Sequence, residues 1–238
     1  MRVKPEDDVG EADGAGRDAD EVPAAIVGEL ADRTARVSPQ AVLIVVTNPL
    51  DEMTQHAWTR SGFPPERVIG MAGVLDTARF QALTALSGQT RADRVEALAL
   101  GSHGEEMVIP LSQASIDGRP LTDALDRSTV DGLVDRARGS GAEVVGLLKS
   151  GSAFMAPGMS AARMVLAMAA GSREVLTASV MADGAYGIRD VYVGLPVRLD
   201  QHGVREIIEV DLTADELTAL RAAADRIRER AGDLAAAS

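Results

Sequence analysis

The stretch "AVLIVVTNP", residues 41–49, constrains the fold more than any other part of this chain. Six apolar residues in succession leave no polar face, and the run is too short for a buried helix. The expected form is a strand covered on both faces, as in a parallel sheet layered by helices. Thr47, Asn48 and Pro49 end it. Helical patterns stand on either side. In "EVPAAIVGELADRTARVS" (21–38), Val22, Ile26, Leu30 and Ala31 recur at helical spacing as the expected buried stripe. Asp20 is a suitable N-cap, and Pro23 falls in the first turn, where a missing N–H is tolerated. "DEMTQHAWTRSG" reads as a short helix stopped by Gly62. "ERVIGMAG" reads as a second strand, and "VLDTARFQALTALSG" as a helix with Leu75, Ala78, Leu83 and Leu86 inward. "RVEALALG" reads as a third strand. Alternating strands and helices predict α/β architecture.

Beyond residue 110 the pattern changes. "EEMVIPLSQASIDGRPL" predicts a strand and turn, "DRSTVDGLVDRARGSGAEVVGLL" a helix, and "PGMSAARMVLAMAAGS" a strongly apolar helix. Residues 174–212 read as an antiparallel meander with glycine turns. In the closing helix "TADELTALRAAADRIRERAGDL", Thr213 and Glu216 have the spacing of a capping box. Residues 1–20 are rich in acidic residues, Gly and Ala, and predict a tail or loop.

Composition narrows the function. A net charge of −12 without a basic stripe disfavours nucleic acid as a partner. The absence of cysteine removes thiolate catalysis and cysteine metal sites. No signal-peptide pattern and no bilayer-length apolar run are present, so the expectation is a cytoplasmic protein without membrane contact. With 46% hydrophobic residues but 3% aromatics, the core must be aliphatic, with Met159, Met164 and Met168 as filler.

One of only three histidines, His103, sits in "LGSHGEEM", just after a predicted strand. That edge of an α/β sheet is where ligands bind. Its small neighbours Gly101, Ser102 and Gly104 leave room for a substrate beside a group that moves protons near neutral pH. Asp76 and Arg79 lie three apart on one helix face. A carboxylate orients an imidazole, and an arginine grips a substrate carboxylate through two parallel hydrogen bonds. The plainer reading of that pair is a surface ion pair. Asn48 ends the first strand, where its amide can hold a polar ligand or simply close a turn. His56 and His202 read as structural, and three scattered histidines make no metal site.

The ordered segments "VTNPLDEMT", "SGFPPERVIGMAGVLDTARF", "LGSHGEEMVIP", "LLKSGSAFMAP" and "DGAYGIRDVYVGLPV" resemble successive signatures of the lactate/malate dehydrogenase family, over about residues 20–235. "GMAGVLD" is closest to the lactate-dehydrogenase-like malate dehydrogenases. The resemblance implies the C-terminal part of a Rossmann-type parallel sheet, followed by an α+β substrate domain with antiparallel strands. The expected division is an acidic tail over 1–20, a partial dinucleotide-binding domain over 21–101 and a substrate domain over 102–238. It implies that His103 exchanges a proton with oxaloacetate or malate, that Asp76 favours its protonated form, and that Arg79 binds the substrate carboxylate. Asn48 would meet substrate and the nicotinamide region, with Val46 nearby. Ser152 would line the pocket, and Arg17 would correspond to an arginine of the substrate-covering loop. The cofactor implied is NAD, with NADP open because nothing here corresponds to the residue that reads the ribose. A small dicarboxylate substrate and a homo-oligomer, dimer or tetramer, are implied as partners.

One family feature has no counterpart. The opening strand, G-x-G-x-x-G turn and helix that cradle the pyrophosphate are not matched. The expectation is therefore an N-terminally shortened member, with the run at 41–46 left as an apolar sheet edge. The alternatives are a lactate or other 2-hydroxyacid dehydrogenase and, in another class, a non-catalytic remnant or assembly subunit of the same fold.

Overall fold

The computed structural model describes residues 21–88, 90–104, 106–149 and 153–237. The expectations for 1–20, for Asp20, Arg17 and Ser152 lie outside them. The first half alternates α1 (Glu21–Val37), β1 (Leu43–Val45), α2 (Leu50–Ser61), β2 (Val68–Gly70) and α3 (Gly73–Gly88). Short strands follow: β3 (Val95–Glu96), β4 (Leu100–Gly101), β5 (Met107–Val108), β6 (Ser115–Ile116) and β7 (Arg119–Pro120). The rest is α4 (Leu121–Ala124), α5 (Arg127–Leu148), α6 (Met155–Ala170), β8 (Leu176–Asp183), β9 (Arg189–Asp200), β10 (Gly203–Ile207) and α7 (Ala214–Ala237).

One sheet runs β1-β2-β8-β9-β4-β5, with β10 on β9, and a small second sheet runs β3-β6-β7. Among the described residues only β1 and β2 pair in parallel; the remaining pairs are antiparallel. The main sheet thus carries strands from both sides of residue 101. Strand β9 shows how it is covered. Val191, Val193, Leu195, Val197 and Leu199 face α6 and α7 through Met164, Leu220 and Ile227, while Tyr192 joins the core formed with α1 and α2. That is the period-two alternation of a strand buried on both faces. A third core packs Phe80 of α3 against Val130, Leu133 and Ala137 of α5.

Several element assignments hold. Gly62 ends α2 in the left-handed conformation. Thr213 and Glu216 exchange backbone N–H bonds of 2.9 and 3.3 Å, closing the capping box of α7. The meander is β8, β9 and β10.

Four expectations are corrected. In α1, Ile26 and Leu30 are exposed, and the buried residues are Ala24 and Ala31. The helix lies so close to α2 that a Cβ on Gly28 would stand 2.7 Å from His56 Nε2. Small side chains face inward because no larger one fits. In α3, Leu75 is buried but Leu86 is exposed; Phe80, Thr84 and Ala85 take its place. Met164 is core filler as expected, whereas Met159 is exposed on α6. The run at 41–46 yields three strand residues at the end of the described sheet. Only Val45 among them is buried, and Val46 is exposed, so the strand is not covered on both faces and agrees instead with the apolar sheet edge also expected.

Candidate active site

Three elements converge on His103. Strand β4 delivers it, packed against β9 at a Gly101–Gly194 pair so tight that a Cβ on Gly194 would meet Gly101 O at 2.6 Å. Gly101 has φ +79° and Glu106 O only 3.0 Å from its would-be Cβ. Its lack of a side chain serves chain packing rather than substrate. Gly104, with φ +134° and nothing within 4 Å, is the open glycine of the loop.

Helix α3 starts immediately after β2 and places Asp76 in its first turn. Asp76 is 2% exposed, and its Oδ2 bonds His103 Nδ1 at 2.7 Å. Arg79 Nη1 donates to Asp76 Oδ1 at 3.2 Å. The pair is therefore enclosed, not the surface ion pair of the plainer reading. Burial alone would push the His103 imidazole down. The hydrogen bond and charge of Asp76, with the charge of Asp51, outweigh burial and the repulsion from Arg79, and hold it above its ordinary value. Asn48 is exposed at the end of β1, joined by a cis peptide bond to Pro49 and so to α2.

Helix α2 supplies two carboxylates not singled out from the sequence, although both lie in "VTNPLDEMT". Asp51 Oδ2 accepts the His103 main-chain N–H at 3.2 Å. Glu52 takes Arg230 Nε of α7 at 2.5 Å. Arg230 also reaches Glu106 at 3.3 Å and Ser102 Oγ at 3.2 Å, so the last helix fastens both flanks of the histidine loop. Adjacent acidic residues behind Asn-Pro, in a segment otherwise destined for burial, were the available signal. Their partners stand too far along the chain for spacing to reveal. His56 packs between α1 and α2, and His202 lies exposed in the β9–β10 turn.

A dinucleotide has two ends to fit. Val46, Thr47 and Asn48 are exposed, and an apolar groove of about 290 Å³ runs beside β1 between Val27, Leu30, Ala31 and Ile44. An apolar groove of this kind has the lining that a flat ring needs. A pyrophosphate needs open N–H groups at a helix N-terminus. The glycine-containing turn from β2 into α3 is closed: a Cβ on Gly73 would meet Thr177 at 2.3 Å, and one on Gly70 would meet Thr54 at 2.6 Å. That turn provides no phosphate cradle.

Fold and site define an α/β enzyme in which an arginine-flanked His–Asp pair stands at the C-terminal end of a strand. Residues 12–70 match the model of the lactate/malate dehydrogenase NAD binding domain, and residues 73–236 that of the lactate/malate dehydrogenase alpha/beta C-terminal domain. The chain belongs to the lactate/malate dehydrogenase family. It is 43% identical over 212 residues to a malate dehydrogenase of Chlorobium phaeobacteroides, covering 89% of this chain and 68% of that one. Malate dehydrogenase from Salinibacter ruber superposes with a TM-score of 0.86 at 40% identity, over 89% of this chain and 69% of that one. Plasmodium falciparum malate dehydrogenase, solved in complex with NADH, gives 0.88 at 26% identity, over 93% and 74%. The chain thus spans about two thirds of the length of the first two.

Proposed function

We propose that this chain carries the acid–base and carboxylate-binding machinery of an NAD-dependent malate dehydrogenase, interconverting malate and oxaloacetate. The observation that carries this reading is the 2.7 Å bond from His103 Nδ1 to Asp76. It fixes the ring and leaves Nε2 to exchange a proton with substrate. In the reducing direction, imidazolium gives the Nε2 proton to the carbonyl oxygen of oxaloacetate. In the reverse direction, neutral His103 takes the malate hydroxyl proton at Nε2, and Asp76 stabilises the imidazolium that forms. Arg79 spends one N–H on Asp76, and its remaining donors suit a substrate carboxylate. By the resemblance, the Asn48 amide and Ser152 contribute to the substrate site, and Arg17 corresponds to one of the arginines of the substrate-covering loop. The hydride that balances the proton belongs to the dinucleotide.

Malate is favoured over lactate because the 43% identical relative and the 40% identical structure are both malate dehydrogenases. A homo-oligomer is part of the proposal. Val145, Leu147 and Leu148 of α5, with Met155, Met159 and Leu166 of α6, form exposed apolar surface of the kind that subunit contacts cover. No helix among the described residues is long and apolar enough to cross a membrane; a cytoplasmic location is part of the proposal, on the likeness to bacterial malate dehydrogenases.

The test is NADH oxidation by the purified chain with oxaloacetate, beside His103→Asn. The expected result is turnover that the variant loses by about 100-fold or more. Turnover surviving the substitution, or a preference for pyruvate, overturns the assignment.

A further inference from the structure

His103 is held at two atoms, and only one of the two anchors belongs to the pair described above. Asp51 reaches its main-chain N–H from 52 residues earlier in the chain. The Asp51 side chain is enclosed; its Oδ1 and the Ser179 hydroxyl of β8 have no full-strength hydrogen bond, yet the hydroxyl stands close enough to favour the ionised carboxylate. Holding a loop does not require this. The amide oxygen of an asparagine would accept the same N–H without a buried charge.

The groups around Asp51 show what the charge faces. On its own helix is Glu52, whose carboxylate is taken by Arg230 of α7. On the β4–β5 loop is His103, and on β8 is Ser179. Asp76 and Arg79 of α3 are joined to each other beside the His103 ring. Arg230 is already divided among Glu52, Glu106 and Ser102. No described Lys or Arg forms an ion pair with Asp51. The cation left to answer it is the imidazolium of His103.

We propose that Asp51 is a positioning residue for His103: its carboxylate fixes the main chain under the ring, and its charge keeps the imidazole ready to give a proton. This rests on the reading of His103 as the acid–base group. Burial pushes Asp51 up to about 6; the Ser179 hydroxyl pulls it down and the charge of Glu52 adds to the rise. Asp51 and His103 are both raised, and each ionised form favours the other. The histidine draws on two carboxylates from two helices.

NMR titration of the isotopically labelled chain tests this without turnover, and three histidines make the ring signals assignable. Asp51→Asn keeps an oxygen for the His103 N–H and deletes the charge. The expected result is a fall of about half a pH unit or more in the His103 midpoint, with His56 and His202 unmoved. A second arm does not depend on that variant folding. In His103→Asn the ring is gone, yet the amide of residue 103 should still show an inflection at about pH 6 or above, driven by Asp51. An unmoved His103 midpoint in Asp51→Asn, or no such inflection in His103→Asn, overturns the proposal. A chain that shows both effects but no dehydrogenase activity overturns the functional reading and leaves the coupling intact.

Discussion

Asp76 holds two cationic groups with one carboxylate: the imidazole at Oδ2 and the Arg79 guanidinium at Oδ1. Asp76→Asn leaves the shape but removes the charge that outweighs burial at His103. The imidazole then titrates lower than in the parent chain, with Asp51 as its remaining carboxylate support. Oxaloacetate reduction at pH 7 is expected to drop about 100-fold, with the pH–rate profile displaced to lower pH. Stability follows the same groups. Native Asp51 holds its proton up to about 6, against 3.8 for a free carboxyl, and His103 is likewise raised. Both raised groups bind protons more tightly in the native state. Their contribution is fully present below the unfolded values and is lost as pH rises through the native ones. For Asp51 the window is pH 4 to 6 and the size of order 3 kcal/mol. Urea midpoints of Asp51→Asn should therefore decline less across that window than those of the parent chain. A third expectation concerns Gly203, with φ +108° and a would-be Cβ 2.0 Å from Glu66 O. Gly203→Ala is expected to cost about 2–4 kcal/mol in chemical denaturation.

Helix α7 begins with a reciprocal cap, in which Thr213 Oγ1 accepts the Glu216 N–H and Glu216 accepts the Thr213 N–H. Glu216 also binds the Ser112 N–H and hydroxyl, so the cap ties the helix to the segment after β5. Thr213→Ala is expected to cost about 1 kcal/mol, seen as a Tm lowered by roughly 2–4 °C. This cap was legible in the sequence because Thr and Glu at that spacing interact locally. The faces of α1 and α3 were less legible. Periodicity finds that a helix has an apolar stripe, but it does not say how near the neighbouring helix lies. Where α1 meets α2 at Gly28, the approach is too close for Ile26 or Leu30, and alanines turn inward. The His103–Asp76–Arg79 cluster was readable because each residue sits in a motif of its own. Asp51, Glu52 and Arg230 act across 52 and 178 residues, and no local pattern joins them.

On the scale of the molecule, the main sheet has one parallel pair at its β1 end and antiparallel pairing beyond it. The apolar composition of residues 41–46 foretold a strand covered on both faces; its exposure was legible only from the unmatched G-x-G-x-x-G unit, because exposure depends on which neighbours the sheet acquires. The exposed apolar side chains of α5 and α6 belong to this scale as well. If they meet in a subunit contact, Met159→Glu with Leu166→Glu should convert the oligomer to a smaller species in sedimentation velocity while leaving the far-UV spectrum unchanged. An unaltered sedimentation coefficient would place the contact elsewhere.

Arg230 also sets an order of events. During synthesis the ribosome releases Glu52 and Ser102 long before the arginine that joins them, 178 residues beyond Glu52. The loop bearing His103 receives its last fastening only when α7 docks. A nascent chain halted before α7 should therefore leave the loop bearing His103 open to proteolysis, because Arg230 is the residue that fastens it to the last helix.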